Sequence, residues 1–488
     1  MIAALILVPV LASLACFLMP SDRVRRVLLP ATASIHTGLM AICWFLTPAP
    51  VLNGWLALDP LGRVFLTLSS VLFLAASFYT VQLLSEKQEK GEQTEGLEEF
   101  FDRTPEAVFA GCLLLFLATM TLVTLSQHFG LLWASVEATT LVSAPLIYFH
   151  RNPRSLEATW KYLMVCSVGI ALALPGNFFF AVAGSQGGTG GLLLSDLIAR
   201  GPELPGAWLK MGFLFFLVGY GTKMGLAPLH TWLPDAHSEA PSSVSALLSG
   251  ALLNCAFLAL LRVTQVMNAA NLGSFTRGLF LFFGFFSITL AAVFLLGQRD
   301  YKRLLAYSSV EHMGILAVGM GLGPGAAWAV VFHAVNHSLT KGGLFLTAGN
   351  ILSRYKTKTV SEVTGLLKAM PWSGTLWVAG LLAITGFPPF GTFLSEFAIL
   401  KEAVAQGRWL TAGAFLLLLA LIFMGMSSSF LAMAHGVPPA EKIKPESPAS
   451  FLPPAILLLA VLGLGLYLHP LLMNGFKEAA AVLGGGFR

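Results

Sequence analysis

The sequence predicts an all-α polytopic membrane protein with about fourteen transmembrane helices, two of them broken, arranged around two inverted five-helix repeats. Three observations carry this expectation. Of 488 residues, 56% are hydrophobic and only 11% are charged, with a mean hydropathy of +0.77. Soluble proteins carry about 25% charged residues. The composition therefore excludes a soluble globular enzyme, a disordered chain and a nucleic-acid-binding domain. Second, the apolar residues gather into stretches of the length that spans a bilayer, about 20 residues each. Third, two proline-interrupted segments echo each other along the chain.

The first stretch, 2–19, has no basic flank and no A-x-A cleavage site, so it reads as a retained helix. With 27–46 and 61–84 it forms an N-terminal unit, 1–106, that closes on a hydrophilic loop, Ser85–Glu106. The loop's charge run (Glu86, Lys87, Glu89, Lys90, Glu92, Glu95, Glu98, Glu99, Asp102) fits either a solvated surface or a docking surface. Stretches 107–125, 129–149, 160–183, 208–230 and 243–265 make the first repeat, 107–265. Stretches 274–297, 303–322, 326–352, 374–400 and 409–434 make the second, 274–434, and 451–472 lies in the C-terminal segment, 435–488.

Lys and Arg place the chain in the membrane. Alternate loops, from Arg23, Arg25 and Arg26 to Lys442 and Lys444, carry eighteen basic residues if Lys161 is included. The opposite loops, from Arg63 to Arg488, carry nine. The positive-inside bias then sets both termini on the outer side of the cell (inner) membrane.

Gly225-Leu-Ala-Pro228-Leu-His-Thr231-Trp-Leu233-Pro-Asp235 matches Gly386-Phe-Pro388-Pro389-Phe-Gly-Thr392-Phe-Leu394-Ser-Glu396 at an offset of 161. Leu131–Glu137 similarly resembles Leu305–Glu311. Both matched pairs lie five stretches apart, and an odd helix count inverts the second copy. Interrupted helices at matching positions of inverted repeats build midplane sites in transporters. Pro228, Pro388 and Pro389 remove backbone donors, which lipid tolerates only where other groups replace the lost partners; a packing kink is the plainer alternative.

Ionisable residues inside apolar stretches carry the functional signal, because each costs roughly 2.5–3.5 kcal/mol to insert. Glu137 sits in Leu131–Tyr148 with no charge near it, and Lys223 lies in Gly212–Pro228, just before the break. His333, His337 and Lys341 share one helical stripe at i, i+4 and i+8. Glu396 follows the second break, and Glu311 and His312 fall early in another stretch. Any one could be a structural ion pair, but five stretches with such groups read as a proton or ion relay. A metal is the weaker reading: His333 and His337 have ligand spacing but no carboxylate completes it, and His230, Asp235, His237 and Glu239 lack H-E-x-x-H order. Cys16, Cys43, Cys112, Cys166 and Cys255 are scattered without C-x-x-C spacing and read as packed apolar residues. No nucleotide fingerprint is present, so no cofactor is expected in this chain.

Lys223-Met-Gly-Leu-Ala-Pro-Leu-His-Thr-Trp-Leu-Pro-Asp-Ala-His-Ser-Glu-Ala-Pro241, Asp300-Tyr-Lys-Arg-Leu-Leu-Ala-Tyr-Ser-Ser309 and Phe332-His-Ala-Val-Asn-His337 resemble the antiporter-like subunits of respiratory complex I. That family includes multisubunit sodium/proton antiporter subunits and the membrane arm of group 4 nickel–iron hydrogenases. Val136–Pro145, Leu252-Leu-Asn254 and Ser309-Val-Glu-His-Met313 look most like the hydrogenase-4 component F branch. The resemblance implies a relay of Glu137, Lys223, His333, His337, Lys341 and Glu396, with Asn254, Glu311, His312 and Lys161 as a second tier. Asn254 stands where many relatives have a lysine, so the resemblance implies a central step through water and His333 or His337. Glu311 stands where relatives usually have an uncharged residue. The chain ends soon after the last stretch, leaving no room for the long lateral helix of one relative.

Pairing Glu137 with Lys223 at about 4 Å, worth roughly 4 kcal/mol at an effective dielectric of 20, would make a charge switch. The energy would come from partners: other membrane subunits and a peripheral redox arm with iron–sulfur clusters, of which a nickel–iron hydrogenase is one candidate. A sodium/proton antiporter subunit and a structural anchor with a vestigial relay are the alternatives.

Overall fold

All fourteen apolar stretches fall on helices in the computed structural model, which describes residues 1–89, 105–185, 191–438 and 445–484. In chain order the helices are α1 (Ile2–Leu18), α2 (Asp22–Ile42), α3 (Pro60–Glu89), α4 (Pro105–Leu125), α5 (Phe129–Ile147), α6 (Pro153–Ser185) and α7 (Leu194–Ala199). Then come α8 (Gly206–Met224), α9 (Trp232–Glu239), α10 (Ser242–Leu247), α11 (Leu253–Ala269), α12 (Gly273–Leu295), α13 (Tyr301–Leu322) and α14 (Ala327–Tyr355). The chain finishes with α15 (Leu366–Ala369), α16 (Pro371–Ile384), α17 (Gly391–Ala405), α18 (Trp409–Ala434), α19 (Pro448–Leu466) and α20 (Pro470–Ala481). Among the described residues no β-strand forms, only isolated bridges. Eight helices are long and apolar enough to cross a membrane by length and composition. Most of the acidic loop and its charge run lies outside the described residues.

Several boundaries differ from the hydropathy reading, each for a local reason. α2 starts at Asp22, ahead of 27, because its basic first turns are partnered: Arg25 Nε donates to the Cys16 carbonyl at 2.9 Å, and Arg26 pairs with Glu106 at 2.6 Å. α6 starts at Pro153, where a missing N–H costs nothing. Its first turn is closed by reciprocal bonds between Asn152 and Ser155, at 2.7 and 3.1 Å. The stretch 451–472 ends at Leu466, and an unpredicted helix, α20, follows. Pro470 opens it, and the His469 ring accepts the Leu471 N–H at 3.2 Å. Lys477 and Glu478 mask α20 from a search for uninterrupted apolar runs.

α14 is the hub, packed against α3, α10, α13, α16, α17, α19 and α20. Nearly every side chain from Ala327 to Ile351 is buried. The segment Ser242–Ala269 is likewise buried throughout and contains one π-helical turn, Leu248–Leu252. A helix that is apolar all round belongs inside a bundle, so the polar residues of these two elements face protein. The molecule's outer surface instead carries large apolar side chains such as Leu11, Phe45, Phe282 and Leu410, the surface that lipid solvates. All five cysteines are free and buried.

One buried cation ties α3, α4 and α11 together. Arg262 on α11 donates to the carbonyls of Val123, Thr124 and Ser126 and pairs with Asp59 at 2.9 Å. These carbonyls lie in the last turn of α4 and just past it, where later helical N–H donors run out. Removing one partner of a buried pair costs about 3–5 kcal/mol. Arg262→Met is therefore expected to lower the thermal unfolding midpoint of the detergent-solubilised chain, with Asp59→Asn having a smaller effect because that carboxylate is partly exposed.

Candidate functional site

The first polar cluster forms where α5, α6 and α8 meet. Lys223, in the last turn of α8, is fully buried and donates to Thr140 Oγ1 at 2.7 Å and to Tyr162 Oη at 2.6 Å. Its ammonium also lies 4.5 Å from the Tyr162 ring centroid. Thr140 passes its own hydrogen to Glu137 Oε2 at 3.3 Å, and Ser167 donates to Glu137 Oε1 at 2.7 Å. Ser143 gives its hydrogen to the Thr139 carbonyl, so at 2.6 Å it receives the Tyr162 hydroxyl. Two charge-assisted bonds of about 1.5–3 kcal/mol each offset the cost of burying the lysine.

This arrangement corrects the expected contact pair. Glu137 and Lys223 form no direct ion pair; Thr140 stands between them. The two bond lengths, 3.3 and 2.7 Å, cap the charge separation, and at ~6 Å with an effective dielectric of 20 the attraction is about 3 kcal/mol. Thr140 follows Glu137 by three residues on the same face of α5, so the spacing required for a bridge was present in the sequence. Tyr162, on another helix, offered no such signal.

Both broken stretches keep their backbone satisfied. After α8, Gly225 turns left-handed (φ +88°) and the Leu226 N–H returns to the Gly221 carbonyl at 2.9 Å. Trp232 Nε1 covers the Thr222 carbonyl at 2.9 Å, and Ser287 Oγ receives the Ala227 N–H at 3.0 Å. After α16, Gly386 (φ +64°) plays the Gly225 part, and the Phe387 N–H returns to Leu382 at 2.9 Å. Ala227–Pro228 and Pro388–Pro389 are both cis peptides, and Pro228, Pro388 and Pro389 are exposed at the protein surface.

A second cluster joins α13, α14 and α17. His312 Nδ1 lies 3.0 Å from His333 Nε2, and His333 Nδ1 lies 2.9 Å from Ser395 Oγ. His337 lies beside His312 with the rings tilted at 33° and their centroids 5.1 Å apart, and neither His337 nitrogen is bonded. Glu396 packs over Gly386, and its Oε1 is buried without a partner. Lys341, one turn beyond His337, donates to the Leu305 carbonyl at 2.7 Å. Glu311 is buried, and its Oε2 has no hydrogen-bond partner.

Between the clusters, Asn254 donates to the Gly250 carbonyl at 2.9 Å and to Ser338 Oγ at 2.6 Å. Ser249 and Ser309 meet at 2.8 Å nearby. No unbroken chain of hydrogen bonds joins Lys223 to Glu396 among the described residues. Unbonded buried atoms lie along the gaps: Asn254 Oδ1, Glu311 Oε2, both nitrogens of His337 and both of His237, whose ring stacks 4.9 Å from Phe345.

The basic residues beside the line are engaged elsewhere. Lys161 is half exposed, held by Glu157 at 2.6 Å and Asp235 at 3.0 Å, outside the buried line. Glu311 is not anchored by the neighbouring basic loop: Arg303 pairs with Asp235 at 2.7 Å, and Lys302 donates to the Ala240 carbonyl at 2.6 Å.

Residues 126–423 match the family model described as NADH:quinone oxidoreductase/Mrp antiporter, transmembrane. The chain belongs to this family. It is 35% identical over 434 residues to the hydrogenase-4 component F homolog of Methylacidiphilum infernorum, covering 87% of this chain and 88% of that one. It is 28% identical over 484 residues to NADH-quinone oxidoreductase subunit N of Desulforudis audaxviator, covering 93% and 92%. A chain of respiratory complex I from Thermus thermophilus, solved with bound NADH, superposes with a TM-score of 0.81 at 25% identity over 99% of this chain and 100% of that one. Membership of this family makes the chain an integral membrane protein.

The contact between Glu396 and Gly386 is testable. A Cβ at Gly386 would lie 2.0 Å from Glu396 Oε2, on a backbone that already disfavours one. Gly386→Ala should destabilise the chain by more than ~1 kcal/mol. Combined with Glu396→Ala, the loss should be less than additive, read as unfolding midpoints in a double-mutant cycle.

Proposed function

We propose that this chain is a proton-translocating membrane subunit of a redox-driven complex of the group 4 hydrogenase or complex I type. The observation that carries the reading is the line of ionisable side chains, all buried except the partly buried Glu137, in which Lys223, His333 and Lys341 are held by hydroxyls or a single carbonyl and not by a locking counter-ion. In this reading the chain crosses the inner membrane about fourteen times with both termini outside, and segments 107–265 and 274–434 are inverted repeats meeting at the two breaks. Its partners are other membrane subunits and a peripheral redox arm with iron–sulfur clusters, a nickel–iron hydrogenase being the expected form. No redox step occurs in this chain.

The residues divide the work. Lys223 holds a proton at Nζ, and Thr140 couples it to Glu137: as the carboxylate gains or loses its own charge partner, the field on the ammonium changes by a few kcal/mol. Tyr162 and Ser143 offer a second hydrogen-bonded branch from the same Nζ. Asn254 carries no proton itself, and its unpaired Oδ1 can orient water between Lys223 and Lys341. Lys341, with His337 and His333, carries the charge onward, and Glu396 is the terminal acceptor. Imidazoles suit this section because each can take a proton on one nitrogen while releasing one from the other.

Lys223→Ala is expected to abolish proton flux in reconstituted vesicles while the complex still assembles. Lys223→Arg should fail too, since a guanidinium does not release its proton. Thr140→Val, which keeps the shape but removes the bridge, should slow flux at least tenfold. Loss of assembly along with flux in Lys223→Ala would favour a structural role, and unchanged flux would favour a vestigial relay in a membrane anchor.

The family description also names an antiporter, and a sodium/proton exchanger is the second reading. It requires sodium-dependent flux from the chain and its membrane neighbours without a redox partner.

Glu311 tests the far half of the line. Glu311→Gln should slow pumping while leaving the partner's redox chemistry running. Asn254→Lys should retain flux if water beside Asn254 occupies the place of a lysine. Unchanged flux in Glu311→Gln would remove that residue from the relay.

A further inference from the structure

We propose that His312, His333 and Glu396 form a binding site for a borderline transition-metal cation such as Zn2+ or Co2+, and that the bound ion blocks the second half of the relay. The binding claim stands on geometry alone; the block rests on the proposed function.

Each of the three buried side chains can present one ligand atom, and the three atoms lie within 4.8 Å of one another. Around a four-coordinate zinc, with bonds of about 2.0–2.2 Å, ligand atoms lie roughly 3.3 Å apart. His312 Nδ1 and His333 Nε2, at 3.0 Å, are already close to that spacing. Only the carboxylate must move, and Glu396 Oε1 has no hydrogen bond to break.

The outer nitrogens point to the same conclusion. Ser395 Oγ gives its hydrogen to the Thr392 carbonyl at 2.7 Å, so at 2.9 Å it accepts the His333 Nδ1–H, leaving Nε2 bare. His312 Nε2 is buried without a hydrogen-bond partner, so nothing fixes that ring's proton on either nitrogen. A single proton bridges the 3.0 Å between His312 Nδ1 and His333 Nε2; with it moved to His312 Nε2, both facing nitrogens are bare. A metal ion can then take the place of the shared proton. An outer-shell acceptor such as Ser395 orients a metal-binding histidine, and losing one typically weakens binding by 10–100-fold. Two imidazoles and a carboxylate suit zinc or cobalt better than sodium or magnesium, which take oxygen ligands. The fourth position would be left to water or to His337, whose ring lies beside His312.

The full chain in detergent, titrated with Co2+ alone, is expected to bind one ion per chain and develop the intense visible bands of four-coordinate cobalt, which Zn2+ then bleaches. Glu396→Gln and His312→Asn should abolish the bands, and Ser395→Ala should weaken binding at least tenfold; each variant is checked for an unchanged elution profile. Absent bands in the wild-type chain, or bands that survive both Glu396→Gln and His312→Asn, would overturn the site. In vesicles, Zn2+ should stop proton flux and a chelator should restore it. Bands with undiminished flux would overturn the block while leaving the site in place, whereas failed transport without any effect on the bands would count against the proposed function alone.

Discussion

Everything polar inside this bundle is shaped by one constraint: a charge removed from water must be solvated by the protein's own groups. The chain meets it in two distinct ways. Arg262 is held through both terminal nitrogens by three carbonyls and Asp59, and Lys302 rests on the carbonyls of Ser238 and Ala240. These are cations fixed in place, and they join elements. Lys223 and Lys341 are held more lightly, by two hydroxyls and by one carbonyl. The unsatisfied buried atoms of Glu311, His312, His337 and Glu396 gather near Lys341, whereas Arg262 leaves only its own Nε without a partner. Undersatisfaction is costly in a low-dielectric interior, about 1–3 kcal/mol for each group, so its concentration along one line marks where polar groups change partners.

The backbone obeys the same rule. A helix can be interrupted within a bilayer only if the freed amides and carbonyls are recaptured. Both breaks achieve this with a left-handed glycine, and the first adds Trp232 and Ser287 from neighbouring turns. Close helix approach makes these borrowed partners available. Gly284 and Gly314 face each other between α12 and α13, where a Cβ on either would meet the other's carbonyl at 2.9 Å. Small residues at such crossings substitute for the hydrophobic force that lipid does not supply. The interrupted helices thus end beside the residues that bear charge, and Lys223 and Glu396 sit within a few residues of their breaks.

How far the sequence could be read follows from which forces are local. Apolar runs, prolines and isolated charges are one-dimensional signals, and with them the helices, the two breaks and the buried ionisable residues were legible. What was hidden depends on contacts between helices. Thr140 was recognisable as a neighbour of Glu137 but not as the bridge to Lys223, because that bond spans 83 positions. Ser395 and Tyr162 look like ordinary helix residues until α14 and α8 are placed against them. α20 was missed because its apolar face alternates with Lys477 and Glu478. Lys161 was named a second-tier relay residue by resemblance, yet Glu157, one turn earlier, and Asp235 hold it half exposed.

The same inventory bears on which ion the line suits. A sodium ion needs several oxygen ligands to replace its hydration shell, whereas nitrogen donors favour softer metals. Around Lys223 the available oxygens are already drawn to an ammonium, and a second cation there would meet its repulsion at close range. In the cluster that includes Lys341 the ionisable side chains are imidazoles and the carboxylates of Glu311 and Glu396. Neither cluster offers an oxygen cage, but both offer what a proton needs: hydroxyls, amines and imidazoles that donate and accept at 2.6–3.3 Å. On the proposed reading, sodium would have to enter by a route outside these two clusters, while a proton can use the side chains as they stand.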